Sequence, residues 1–284
     1  MFKKKKDQTY QSYWSISWNI FKKNKVAMVC LFIVILLCLI ALFAPLIAPY
    51  DPNKQVLTDR LMKPCGQHWF GTDDLGRDIF SRIIYGCRVS LSVGIISQII
   101  ATVIGYTMGV CAGYYGGKVD SVISFLIQVF SSFPFLLFAM AIMFVLGPGL
   151  INLYLALGLL GWASTARLIR GDVMRLKKME YIDACKVSGG NSFRIIMKHL
   201  LPNCLSTLIV TVTLGIPNAI MSEASLSFLG LGVKAPMASW GSMISFSQPY
   251  IRSATYYSVI PGLAIIITVL AFNMLGDGLR DALD

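Results

Sequence analysis

Two histidines, seven cysteines and fourteen Asp or Glu residues are the material from which this chain of 284 residues would build a catalytic or metal site, and their spacing serves neither. His68 and His199 lie far apart. The cysteines at 30, 38, 65, 87, 111, 185 and 204 form no CxxC, and Cys30, Cys38 and Cys111 fall inside apolar runs, where a thiol behaves as a small hydrophobe. The nearest approach to a phosphate loop is Gly113-Tyr-Tyr-Gly-Gly-Lys118-Val119. A Walker-type loop there needs glycine at 112 and Ser or Thr at 119, and the chain has Ala112 and Val119. HExxH and GxSxG are both missing. Nor do the apolar runs carry a charge at mid-depth: Glu223 and Asp277 each sit at the end of a run. An ion-coupled carrier needs such a group despite its cost in lipid, and a membrane hydrolase needs a nucleophile beside a base. The chemistry left to the chain is mechanical: a passive pathway driven by another molecule.

The polar residues of the second half are gathered between Arg167 and Pro202. Arg167, Arg170, Arg175, Lys177, Lys178, Lys186, Arg194 and Lys198 stand there against Asp172, Glu180 and Asp183. Ile169, Val173 and Leu176 recur at helical spacing before a glycine pair. Phe193, Ile196, Met197 and Leu200 follow it at i, i+3, i+4 and i+7, predicting the apolar face of a second helix. Gly189 and Gly190 can take positive φ and end the first helix. Asn191 or Ser192 can cap the second, and Pro202 suits the first turn of the next. The expected element is a helix-turn-helix hairpin at the surface of a membrane protein. Composition alone serves equally a helical loop lying on lipid headgroups.

The spacing of Asp183-Ala184-Cys185, three residues, Gly189, nine residues and then His199-Leu200-Leu201-Pro202 resembles the EAA loop of permease subunits of binding-protein-dependent ABC importers. Asp183, Cys185 and His199 depart from that family's Glu, Ala and hydrophobic residue; Asp183 keeps the charge and Cys185 the small volume. The resemblance implies a coupling hairpin, 167–202, that docks into a cleft of a separate ATPase. Glu180, Tyr181, Asp183, Ala184, Cys185, Gly189 and Arg194 are then the coupling residues. Small residues at 184 and 185 permit close approach, Asp183 offers a charged contact and Gly189 makes the turn. Residues 68–91, starting His68-Trp-Phe-Gly-Thr-Asp-Asp-Leu-Gly-Arg77, are similar to the segment before the second span in the dipeptide, oligopeptide and nickel branch of these permeases. So are Leu229-Gly-Leu-Gly and Ser239-Trp240-Gly241. In that branch the first segment faces the extracytoplasmic binding protein or braces the partner permease.

With the resemblance come further expectations. The fold is all-α, the type I ABC importer permease with six transmembrane helices. The partners are a homologous second permease, one or two ATPases that hold the ATP, a solute-binding protein and lipid, with no nucleic acid. The chain itself is no enzyme and binds no cofactor or metal. Peptides are the implied substrate, with nickel or another chelate as the alternative and an ion-coupled secondary transporter as a more distant one.

The elements that must position the hairpin are apolar. With 56% hydrophobic residues, 14% charged and a mean hydropathy of +0.67, the chain is no water-soluble globule. Its net charge of +11 lies beside the apolar runs without the interleaved aromatics of a nucleic-acid face. A span needs ~20 apolar residues, and spans are expected near 26–47, 89–115, 120–146, 150–166, 203–223 and 257–276. Residues 1–25 form a basic, aromatic tail expected to rest at the interface through Tyr10, Tyr13, Trp14 and Trp18. A cleaved signal peptide is the competing reading, but the run after it exceeds a signal core. Ser97, Ala101, Gly105, Gly109, Gly113 and Gly117 repeat every four residues, a smooth ridge for close helix approach within the bundle or at a seam with a second permease. Gly147-Pro148-Gly149 must turn the long uncharged stretch 121–166, and Pro134 should kink its first half. Gly215 and Pro217 kink the fifth helix, for packing or for bending. In loop 51–88, Thr72 or Asp73 is expected to cap a short helix, and Asp73, Asp74 and Asp78 to pair with Arg77 and Arg82. Segment 224–258 is too apolar for a solvated loop and too glycine-rich for a span, which predicts a partly inserted cap. Seven lysines of the tail, eight basic residues of the hairpin, Lys118 and Arg280 share one side, against eight on the other. That places both termini and the hairpin in the cytoplasm, and the resemblance implies the inner or plasma membrane of a bacterial or archaeal cell.

Overall fold

The computed structural model describes residues 13–283, so Lys3–Lys6 and Tyr10 of the expected tail lie outside the described residues. Among the described residues there are helices and no strand, only an isolated bridge between Thr72 and Asp78. In chain order the helices are α1 (Tyr13–Lys23), α2 (Lys25–Leu42), α3 (Ala44–Ile47), α4 (Ile79–Tyr115), α5 (Gly117–Ser132), α6 (Phe135–Leu146), α7 (Leu150–Leu176), α8 (Glu180–Val187), α9 (Ser192–Ile195), α10 (Leu201–Phe228), α11 (Trp240–Ser247) and α12 (Thr255–Leu283).

Four stretches are each long and apolar enough to cross a membrane: α2, α4, the continuous run Ser192–Phe228 through α9 and α10, and α12. α5 and α6 pass that test only as a pair, bent by 90° at their junction. The expected single span 120–146 is therefore broken rather than kinked. Proline has no N–H to continue α5 and forces the residue before it out of the helical region; Phe133 is extended, with ψ 139°. α7, at 27 residues or ~40 Å, is long enough to cross, but its second half carries Arg167, Arg170, Asp172 and Arg175. The chain thus runs from the apolar zone into the hairpin as one helix, with no break at 166. α4 begins at Ile79, ten residues before the expected span, and reaches ~55 Å.

The glycine ridge of α4 packs on α7 of the same chain. A Cβ at Gly105 would stand 2.6 Å from the Thr165 Cβ, one at Gly109 2.7 Å from the Ala166 carbonyl oxygen, and one at Gly113 2.9 Å from that of Arg170. These helices touch backbone to backbone, so only glycine fits. Near the C-terminal ends of these two helices Val110, Ile169, Val173, Ile182, Ile195 and Leu200 form one buried cluster under the hairpin. α5 is tied to α7 by Arg170, whose Nη2 donates to Asp120 Oδ2 at 2.7 Å. At the opposite end of the bundle, α11 starts from a capping box of Ser239 and Ser242. Its Trp240 is buried, and the indole Nε1 donates to the Ile83 carbonyl at 3.1 Å, closing the segment after α10 over the outer end of α4.

Candidate functional site

The inner hairpin is built from a few local rules. α8 ends with Gly189 at φ +80°, a conformation that favours glycine. The Gly190 N–H donates to the Cys185 carbonyl at 2.9 Å and the Gly189 N–H to that of Lys186 at 3.0 Å, the paired bonds of a Schellman stop. Gly190 does not share the positive φ expected of it. It is small because a Cβ there would lie 2.6 Å from the Cys185 Sγ. Asn191 caps the second arm, its Oδ1 accepting from the Arg194 N–H at 2.8 Å. At the first arm, Lys177 Nζ donates to the Tyr114 carbonyl and lies 5.7 Å from the centre of that ring; the Tyr114 hydroxyl donates to Ser192 Oγ at 3.4 Å. The inner end of α4 therefore braces both arms.

The second arm does not bury the face read from its spacing. Phe193 is 71% exposed and Met197 is exposed too, while Ile195 and Leu200 are buried. Residues Ile196–Leu200 form a π-helical turn. Its wider winding sets the inward positions five apart, at Ile195 and Leu200, and breaks the i+3/i+4 register.

Of the expected coupling residues, Glu180, Tyr181, Asp183, Ala184, Gly189 and Arg194 are exposed and Cys185 is half-buried. Asp183 is no lone charge: Lys186 Nζ donates to its Oδ1 at 2.7 Å. That hydrogen bond holds the Lys186 ammonium above its ordinary pKa. The Tyr181 ring centre is 6.1 Å from that of His199. Two kinds of residue escaped the spacing argument. Ile182 is fully buried and anchors α8 to the cluster beneath; Met179 and Val187 lie exposed beside it, Val187 at 90%. Val187 stands five positions from Ile182, across the helix, but which of the two faces the core is set by the packing beneath.

The loop before α4 carries the second site. Asp73, Arg77, Asp78 and Arg82 are all buried. Arg77 Nε donates to Asp73 Oδ2 at 2.6 Å, Arg82 Nε lies 3.5 Å from the same oxygen, and Arg82 Nη1 donates to the Pro52 carbonyl at 2.9 Å. Asp74 accepts from the Tyr257 hydroxyl at 3.1 Å, which fastens the loop to α12. Two expectations change here. Asp78, not Thr72 or Asp73, caps the helix, accepting from the Ser81 N–H at 2.8 Å, and that helix is the whole of α4. Asp78 also pairs with His68 Nδ1 at 2.9 Å instead of with an arginine. Asp73 meanwhile holds a tight turn, accepting from the N–H groups of Leu75 and Arg77 at 2.9 Å each.

Comparison with known proteins agrees with this geometry. The model for the binding-protein-dependent transport system inner membrane component matches residues 102–284, and that for the N-terminal TM domain of oligopeptide transport permease C matches residues 12–64. The dipeptide transport system permease protein DppC of Bacillus subtilis is 45% identical over 274 residues, covering 96% of this chain and 86% of that protein. The oligopeptide transport system permease protein OppC of the same organism is 41% identical over 273 residues, covering 96% and 90%. The glutathione transport system permease protein GsiD of Pectobacterium atrosepticum is 41% identical over 280 residues, covering 98% and 93%. In fold the chain is similar to the MetNI methionine ABC transporter in an inward facing conformation, with a TM-score of 0.58 at 19% identity over 72% of this chain and 98% of that one. An all-α bundle with a braced inner hairpin, matched by a family model over more than half its length, is a membrane-spanning permease: the chain belongs to the family of binding-protein-dependent transport system inner membrane components.

Proposed function

We propose that this chain is one permease subunit of an ATP-driven importer of di- and oligopeptides, with its hairpin and both termini in the cytoplasm. A homologous second permease completes the pathway, one or two separate ATPases hydrolyse the ATP, and a solute-binding protein delivers the peptide to the outer cap. α7 counts as the sixth crossing beside α2, α4, the broken α5–α6 pair, α9–α10 and α12. The carrying observation is the inner hairpin itself. Val187 and Phe193 lie 90% and 71% exposed on an element whose other side is fixed by the buried Ile182 and Ile195. Apolar side chains held out rigidly at the polar end of a membrane protein are a docking surface for a folded partner. Tyr181, Ala184 and Gly189 border that surface and Arg194 adds a charge, so ATP-driven closure of the ATPases pulls on α8. Peptide as the cargo rests on the relatives, which are named for dipeptides, oligopeptides and glutathione.

The test is transport by the assembled complex in proteoliposomes. With the binding protein and ATP present, a labelled dipeptide should accumulate, and a variant carrying Val187→Glu and Phe193→Glu should lose both uptake and the co-purifying ATPase. Uptake that continues without ATP would refute the assignment.

A further inference from the structure

A cavity of ≈ 900 Å³ opens between α4, α7 and α10, and through its largely apolar lining runs a regular row of small and polar residues. On α10, Thr207, Thr211, Gly215, Asn218, Ser222 and Ser225 all line it. Their steps of four, four, three, four and three average one helical turn, so they form a single stripe. From Thr207 to Ser225 the stripe covers ~27 Å, close to the ~30 Å of a bilayer's hydrocarbon. Facing lipid, such a stripe would be costly, so water, solute or protein must cover it.

The hydrogen bonds give the stripe a sign. The Thr211 hydroxyl donates to the Thr207 carbonyl at 2.7 Å, that of Ser222 to Asn218 at 2.8 Å, and that of Ser225 to Met221 at 2.9 Å. Thr207 donates to Asp172 Oδ2 at 2.5 Å, and Asn218 Nδ2 to the Leu214 carbonyl at 3.1 Å. Each hydroxyl proton is committed to the protein, so the hydroxyls offer the cavity oxygen lone pairs only, while Asn218 keeps its carbonyl oxygen and one amide N–H for it. Two charged residues line the cavity as well, Asp172 on α7 and Arg280 on α12. A second observation is independent of α10. Ser97 of α4 lines the same cavity and is 2% exposed, yet its hydroxyl has no partner among the described residues. A buried hydroxyl left unsatisfied is costly unless something in the cavity pairs with it.

Resting on the reading of the chain as a peptide permease, we infer that this stripe is the conducting wall, and that it serves donor-rich solutes. Acceptor oxygens in register along the crossing meet the N–H groups and protonated amino terminus of a peptide one turn at a time. No fixed charge of the stripe itself traps a zwitterion on the way.

The experiment uses the whole complex with saturating binding protein, reading dipeptide imported per ATP hydrolysed. Asn218→Leu with Ser222→Val should lower that ratio about tenfold by removing two acceptor positions, with assembly and basal ATP hydrolysis unchanged. Separately, Ser222→Cys should react with a membrane-impermeant methanethiosulfonate beyond the wild-type background, and transported dipeptide should slow the reaction. An unchanged ratio, or a thiol at position 222 sealed from the reagent in a protein seam, overturns the conducting wall. Failure of the wild-type complex to import any peptide would instead overturn the peptide reading beneath it.

Discussion

At residue 189 the hairpin needs a left-handed backbone, and at residue 190 it needs the absence of a side chain. Those requirements separate by substitution. Gly189→Asn keeps a residue that tolerates positive φ, and no neighbour lies within 4 Å of its Cβ; uptake should stay near wild type. Gly189→Arg adds ~1–2 kcal/mol of backbone strain and a cation amid the exposed apolar groups. The protein should still reach the membrane, as an immunoblot of membrane fractions would show, while ATP-driven uptake is lost. Normal uptake by that variant would count against the coupling role. Gly190→Ala pushes a methyl to within 2.6 Å of the Cys185 Sγ and should expose the hairpin to limited proteolysis although its backbone is unstrained. Ile182→Ala empties a fully buried site, a loss of ~2–5 kcal/mol, and should free α8 in the same assay. The glycine stop and the asparagine cap were legible in the sequence because each follows from one residue's own conformational preferences. Ile182 as anchor and the pairing of Asp183 with Lys186 were not, since they depend on which side of a short helix meets the core.

Whole helices show the same division. The hairpin, the turn at 147–149 and the glycine ridge of α4 could be read from local punctuation and period. Three features could not. Pro134 announces a perturbation, but only its surroundings decide that it is a 90° break. The π turn at 196–200 shifts a register that looks regular in one dimension. The ridge does not name its partner, and the structure gives it to α7. Gly109→Leu should therefore drive α4 from α7, a strain of ~1–3 kcal/mol or more, and shrink the fraction of complex surviving heat in detergent. Gly262→Ala, on a helix face with no atom within 4 Å, should leave that fraction unaltered.

For the molecule as a whole, the outer cap and the inner hairpin are fixed by different forces, and perturbation should tell them apart. The Asp73–Arg77–Arg82 group is out of water, so added salt screens it little. Arg82→Ala would leave Asp73 and the Pro52 carbonyl short of a partner. It should cost ~3–5 kcal/mol, read as a lower melting temperature of the purified complex in both low and high salt. Asp183–Lys186 is an exposed pair, screened by water and of little weight for stability, and Lys186→Gln should leave that temperature where it was. The sequence supplied both ends of this molecule as motifs, but not the continuity between them. α7 leaves the short turn after α6 and does not stop until it is part of the hairpin. The glycine contacts clamp this rod to α4 from Gly158 to Val173, so the two helices can move only together. Whatever displaces the hairpin end of this pair is felt at its far end, with no second linkage needed to carry the motion.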